Sequence, residues 1–367
     1  MPSFTTPPAP TATPNRRHLL RMAGALPLLH ALPALAQEQA NGAKEAKGAA
    51  APGNAARTLH LAGPSAAISF ALLRMAQAQP LADWGIQIRF TQWRDPDHLR
   101  ALTLEKGADF LAAPTNVAAN LYNRGVPLQL VNVPVWGILA LLSLHEGRQT
   151  LADFKGQTIA IPFRADMPDI VFQLLARAQG LDPQKDFALH YVATPMEAAQ
   201  LLLSGKVENA LLAEPVTSLV MHKSQSFPTK LMAKTVHRSV DLQQEWGRVL
   251  QRPPQIPQAC VVALGQARSD AALLQRFAAA HAQAQAWCYA HPQECGELVA
   301  QHIPMLSAPA VADALRHTPA RIASAQEARP ELEFFYQKLL DSQPSLVGGK
   351  LPDDGFYATA AAAEAAS

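Results

Sequence analysis

Arg164 and Asp166, in Phe163-Arg164-Ala165-Asp166, follow directly on the apolar run Ile159-Ala160-Ile161-Pro162. Glu214 holds the same position after Asn209-Ala210-Leu211-Leu212-Ala213, ahead of Pro215. An arginine presents a fork of donors that grips a carboxylate, sulfonate or phosphate. Its alternative role is a pair with Asp166 or Asp169, of the common and weak surface kind. A buried-end carboxylate such as Glu214 would accept from an amine or ring N–H. Thr115 and Asn116, after Asp109-Phe110-Leu111-Ala112-Ala113-Pro114, can hydrogen-bond a ligand or cap the helix that follows. Trp93 and Trp136 offer flat faces to a planar group, and Trp136 reads equally as a hinge residue. Ser65, Ala66 and Ala67 can turn backbone N–H groups toward an anion at a helix start, although Pro64 contributes none. A pocket holding both arginine and carboxylates suits a zwitterionic or polar heterocyclic solute as well as an anion. The set points to recognition rather than turnover. The sequence has no Gly-x-Ser-x-Gly elbow, no His-Glu-x-x-His and no phosphate-cradling Gly-rich loop with lysine.

The elements that must position these residues alternate along the chain. Thr58–Ala62, Gln87–Thr91, Asp109–Ala113 and Leu128–Val133 read as strands, separated by helical patterns through Phe70, Leu99 and residues 116–124. The rhythm restarts with strands at Thr158–Pro162, Phe187–Val192 and Asn209–Ala213, with helices at 168–179 and from Pro195. Ala259–Leu264 then returns as a strand, and helices fill 270–289 and 293–302. This alternation predicts an α/β fold, each half a mostly parallel sheet flanked by helices. Ligands of such sheets bind just beyond the carboxyl ends of the strands, where all the residues above except Trp136 lie. Trp84, Trp246 and Trp287 read as packing residues.

The amino terminus carries a different message. Arg16 and Arg17 precede an apolar stretch from Ala23 to Leu35 that ends in Ala34-Leu35-Ala36. Charged n-region, short apolar h-region and small-residue cleavage site form an export signal, and the arginine pair favours the twin-arginine route. The stretch is broken by Pro27 and Pro33 and is too short to span a bilayer. Residues 1–36 are thus expected to be removed, the mature chain to start near Gln37 and the protein to lie in a periplasm. Removing them takes Lys+Arg from 31 to 28 against 29 Asp+Glu, so the basicity belongs to the signal. Nothing then favours nucleic acid or an anionic membrane as partner. Residues 37–56 read as a flexible linker and 346–367 as a C-terminal tail, Ala-rich from Ala358.

Three cysteines are present, Cys260, Cys288 and Cys295. Cys260 sits within an apolar run and reads as a core strand residue. Cys288 and Cys295 flank a turn with Pro292, and could form a short-loop disulfide or remain two buried thiols on adjoining helices. No spacing suggests a zinc site, and no motif calls for a cofactor.

In order and spacing, four stretches resemble periplasmic solute-binding proteins of ABC importers, of the nitrate/sulfonate/taurine and thiamine-precursor type. They are Leu61-Ala62-Gly63-Pro64; Gly107 to Thr115; Leu151-Ala152-Asp153-Phe154-Lys155-Gly156-Gln157-Thr158-Ile159-Ala160-Ile161-Pro162; and Ala198 to Ala210, running into Glu214-Pro215. The late helix around Trp287 with His291-Pro292-Gln293-Glu294 also fits. The resemblance implies a two-lobe, type II-like periplasmic binding fold. Residues 57–140 and 258–345 would form lobe one and 141–257 lobe two, with ligand held in the cleft by hinge closure. It implies a non-enzymatic monomer that carries a small-molecule ligand to membrane permease subunits. The ligand would contact Ser65, Ala66, Trp93, Thr115, Asn116, Trp136, Arg164, Asp166 and Glu214. Two other roles fit the same sequence: a sensory or accessory protein delivering ligand to a membrane receptor, and a pyrimidine-synthase-like enzyme. The cysteine-rich motif of such enzymes is missing here.

Overall fold

The computed structural model describes residues 57–105, 107–226 and 235–359. The expected export signal, the linker and the last eight residues lie outside the described residues.

Eleven strands among the described residues form two sheets. The first has the order β11-β4-β10-β3-β1-β2. Its members are β1 (Arg57–Gly63), β2 (Ile86–Gln92), β3 (Phe110–Pro114), β4 (Leu128–Val135), β10 (Ala259–Leu264) and β11 (Ala323–Ser324). The second has the order β7-β6-β8-β5-β9. It comprises β5 (Leu139–Ser143), β6 (Thr158–Pro162), β7 (Ala188–Val192), β8 (Asn209–Ala213) and β9 (His237–Asp241). Ala259–Leu264 returns to the first sheet after the second is complete.

Pairing is mixed, where alternation of elements alone predicts mostly parallel strands. β1 pairs in parallel with β2 and β3, and β6 with β7 and β8. The strands entered from the other sheet run the opposite way: β10 is antiparallel to β3 and β4, and β5 to β8 and β9. A chain that crosses from one sheet at its carboxyl edge must enter the next at that edge, so reversed direction is the geometric result.

Caps fix where several helices begin. Asp166 accepts from the Met167 N–H ahead of helix Met167–Ala178, and Thr194 accepts from the Glu197 N–H ahead of helix Pro195–Leu203. Each helix carries proline in its first turn, where the missing N–H has no intrahelical role. Ser324 and Glu327 form a reciprocal capping box for helix Ala325–Ser342.

Two crossovers join the sheets, residues 136–138 after β4 and residues 251–258 before β10. They are tied together: Ile256 N–H bonds the Trp136 carbonyl at 2.8 Å, and Gln258 N–H bonds the carbonyl of Val135, the last residue of β4 before the first crossover, at 3.0 Å. Gly137 is required in the first crossover. Its φ is +148°, and a Cβ there would lie 2.0 Å from Gln243 Cγ. Gln243 in turn pins the start of β5, accepting from the Leu139 N–H at 3.0 Å.

One apolar cluster runs from Leu111 and Val133 through Trp136 to Leu141 and Ile159, and so spans both sheets. A second joins Phe70 and Leu73 of helix Ser69–Ala78 to Leu219 of helix Val216–Gln225 and Leu315 of helix Ala308–His317. The segment read as a tail from residue 346 packs inward as far as Ala358. Val347, Phe356 and Tyr357 are buried, and Ala358 N–H bonds the Leu130 carbonyl at 2.9 Å. Trp246 is core, whereas Trp84 is 45% exposed, so the packing role read for it does not hold.

Candidate functional site

The carboxyl ends of β1, β3, β6 and β8 carry every residue singled out from the sequence except Trp93, just past β2, and Trp136, in the first crossover. The structure uses these residues in two distinct ways.

On the first sheet their polar atoms are largely taken up internally. Ser65 Oγ accepts from Gln92 Nε2, and the helix that follows begins at Ser69 without a side-chain cap. The Ala66 carbonyl accepts from the Ser69 N–H within that turn at 3.0 Å. Trp93 is half-buried and donates through its indole N–H to the Ala112 carbonyl at 3.0 Å. Thr115 is fully buried. Its hydroxyl donates to the Pro257 carbonyl at 2.6 Å, and its N–H to the Gln258 carbonyl at 3.1 Å. Thr115 and Asn116 do not cap the following helix as expected. Helix Thr115–Asn123 has Pro114 at the capping position and no side-chain cap, because the Thr115 hydroxyl is committed to the second crossover. Asn116 is also buried, and its Oδ1 has no protein partner. Trp136 is fully buried and donates to the Val133 carbonyl at 2.8 Å, so it serves the crossover core rather than offering a free stacking face.

On the second sheet the groups keep their charge in play. The loop 163–166 holds two non-glycine residues in the left-handed region, Phe163 at φ +58° and Ala165 at φ +61°. Such strain persists where surrounding bonds over-determine it. Here Asp169, buried, accepts from the Ala165 N–H at 2.8 Å and from Tyr191 and Gln173. Burial first, and then the Asp169 carboxylate, push the Tyr191 hydroxyl up to about 12, so Tyr191 stays protonated and donates. Asp166 caps the next helix, and burial raises its carboxyl above the ordinary range. Both acids that could have paired with Arg164 are therefore engaged elsewhere. The Arg164 side chain is exposed, 5.2 Å over the Tyr191 ring, and makes no ion pair among the described residues.

Glu214 lies at the end of β8, next to β6, and is 3% exposed. Its N–H bonds the Ile138 carbonyl at 2.8 Å, which ties it to the first crossover. Its carboxylate pairs with Arg238 at 2.6 Å and accepts from the Ser218 N–H at 3.0 Å. Arg238 also donates to the Ser218 hydroxyl at 2.9 Å. The reading of Glu214 as an open acceptor for a ligand amine gives way to an acid already neutralised by a partner. Sequence reasoning missed Arg238, which sits on the edge strand β9.

Hydrogen bonds link the groups near the two crossovers. Gln258 accepts from the Ile138 N–H at 2.7 Å, its carbonyl accepts from Thr115, and the Ile138 carbonyl accepts from Glu214. Thr115, Trp136 and Glu214 thus converge on the two crossovers, and Asn116 adjoins them in sequence. Two of these residues keep a buried polar atom without a protein partner, Asn116 Oδ1 and Gln258 Nε2. Beside the crossover, a small pocket is walled mainly by apolar groups, including Ile68, Phe70, Trp136, Ile138 and Leu315, together with Tyr289. Cys288 also lines it. Cys288 and Cys295 are buried free thiols, and their mutual hydrogen bond, then burial, raises the Cys288 thiol.

Among the described residues no cluster of side chains could hold a metal ion, and no helix is long and apolar enough to cross a membrane.

No protein-family model matches the sequence, and no curated protein sequence matches it. Solved structures do resemble it. One is an ABC transporter protein from Parabacteroides distasonis, at 23% identity and TM-score 0.69, covering 82% of this chain and 99% of that one. Another is the periplasmic aliphatic sulphonate binding protein SsuA from Escherichia coli, at 19% identity and TM-score 0.61, covering 80% and 97%. A third is the periplasmic nitrate-binding protein NrtA from Synechocystis PCC 6803, at 13% identity and TM-score 0.59, covering 79% and 84%. The order of strands, the two crossovers and these likenesses agree: the chain has the two-lobe α/β fold of the type II periplasmic binding proteins.

Proposed function

We propose that this protein is the periplasmic substrate-binding subunit of an ABC importer. It captures a small polar or anionic organic solute between its lobes and presents it to membrane permease subunits. Export by the twin-arginine route, cleavage after Ala36 and action as a monomer belong to the same reading. The observation that carries it is Arg164. It is an exposed guanidinium without an acid partner among the described residues, held at a strand end by a strained and heavily bonded loop. A cation kept free in this way is matched to an anionic group arriving from outside. The fold likeness supports the same reading, since the neighbours include proteins named for sulphonate and nitrate binding. Glu214 enters as a support. Through Ser218 and Arg238 it fixes the lobe-two wall, and through Ile138 it couples that wall to the hinge. The ligand is expected to bring its anionic end to Arg164 and its remainder toward Trp93 and the apolar pocket beside Trp136.

Native mass spectrometry of the protein taken from its own periplasm before dialysis tests this. The expected result is an added small mass that leaves on denaturation and returns, unaltered, on mixing. The reading is overturned by a protein that carries no such mass and shows no thermal shift with nitrate, taurine or short alkanesulfonates. Chemical conversion of the bound compound would overturn the non-enzymatic part.

A further inference from the structure

Arg321 lies in the loop 318–322, between helix Ala308–His317 and β11, and has no place in the site described above. Its guanidinium carbon sits 3.8 Å over the Trp136 ring, in the first crossover. The same guanidinium donates to Gln255 Oε1, in the second crossover. Its own carbonyl accepts from Gln285 Nε2 at 3.0 Å, and Gln285 is a wall residue of the small pocket. The loop is held from the same side by Tyr289, whose hydroxyl donates to the Pro319 carbonyl at 3.0 Å and bonds the Thr318 hydroxyl at 3.0 Å. One planar cation therefore touches both strands of the hinge. A lysine could not reproduce this, because stacking and forked donation both need the guanidinium plane.

We propose that Arg321 is a positioning residue that clasps the two crossovers into one unit and so limits how far the lobes can open. Without the clasp, the bonds between crossovers remain, but the outside groups described above each hold one crossover alone: Thr115 bonds the second, at Pro257 and Gln258, and Glu214 bonds the first, at Ile138. The consequence for ligand capture rests on the proposed function. The clasp itself does not, since it is read without ligand. The amides to watch are Ile256 and Gln258, whose N–H groups bridge the crossovers.

Hydrogen exchange of the ligand-free full chain provides the test. In Arg321→Ala, exchange at Ile256 and Gln258 is expected to be about tenfold faster, the loss of a stacked cation and a hydrogen bond together. Sheet amides such as Leu141 and Val261 should keep their rates, which separates a hinge effect from general weakening. Gln255→Ala removes only the hydrogen-bonded half and should give a smaller increase at the same two amides, so the inference stands even if the first variant folds poorly. Arg321→Lys should behave more like Arg321→Ala than like the parent. Nitroxides placed at exposed Gln87→Cys and Gln184→Cys should report a broader interlobe distance distribution in Arg321→Ala. Unchanged exchange at Ile256 and Gln258 would overturn the proposal, as would a uniform rise across both sheets or an unaltered distance distribution.

Discussion

The two carboxyl edges of this molecule are built from similar βα units but treat their polar groups in opposite ways. On the first sheet, Ser65, Trp93 and Thr115 turn their hydrogen-bonding atoms back onto the protein. On the second, Arg164 is left exposed beside a strained loop, and Glu214 is buried in a bonded ion pair. One edge is a wall whose polar groups are bonded internally, and the other carries the electrostatics. Strand ends alone do not distinguish these roles, because position makes a residue available to a ligand while its bonding partners decide whether it remains so.

Removing a buried charge partner should produce the largest effect. Glu214→Ala strands Arg238 beside the Ser218 helix start. The expected destabilisation is about 3 kcal/mol, toward the low end for a broken buried pair because Arg238 keeps 27% of its side chain exposed. Urea unfolding measures it, and a loss under about 1 kcal/mol would reduce the pair to an ordinary surface contact.

A first-edge residue should matter for stability through a single bond. Thr115→Val keeps the shape and deletes the donor to the Pro257 carbonyl, so about 1 kcal/mol is expected. If Thr115→Val instead left stability unchanged but weakened ligand binding strongly, the contrast between the two edges would collapse.

Asp166 gives the smallest and most pH-dependent effect. Burial raises its carboxyl in the folded protein, so the ionised group costs stability at neutral pH. That cost is relieved as pH falls through the folded value, and is gone below the ordinary value of 3.8. Asp166→Asn keeps an acceptor for the Met167 N–H. It should therefore be more stable than the parent by roughly half a kcal/mol at pH 7, a gain that fades on acidification. Thermal unfolding at pH 7 and pH 3.5 shows whether the difference follows that direction.

Much of the fold was legible because the apolar runs are short and well punctuated. Gly63-Pro64, Pro114 and Pro162 end their strands where expected, and eight of the strands lie within a residue or two of the sequence reading. The three that escaped have physical reasons. β5 follows β4 in one continuous apolar stretch, and only Gly137 with its positive φ divides them. β9 is a polar edge strand with only Val240 buried, and β11 has two residues. The site was legible in position but not in bonding. Nothing near Glu214 in the sequence announces Arg238, since only sheet pairing brings β9 to that edge by way of β5. The release of Arg164 from Asp166 and Asp169 likewise depends on a loop geometry that residue types do not dictate.

The claim that the second edge carries the ligand's charge is tested most directly by calorimetric titration of Arg164→Ala with the compound recovered from the native protein. The expected loss is about 2 kcal/mol of binding free energy, or about thirtyfold in Kd, with the unfolding midpoint unchanged, because Arg164 makes no ion pair among the described residues. An affinity equal to that of the parent protein would contradict the account, placing the anionic group of the ligand elsewhere and leaving Arg164 a surface residue.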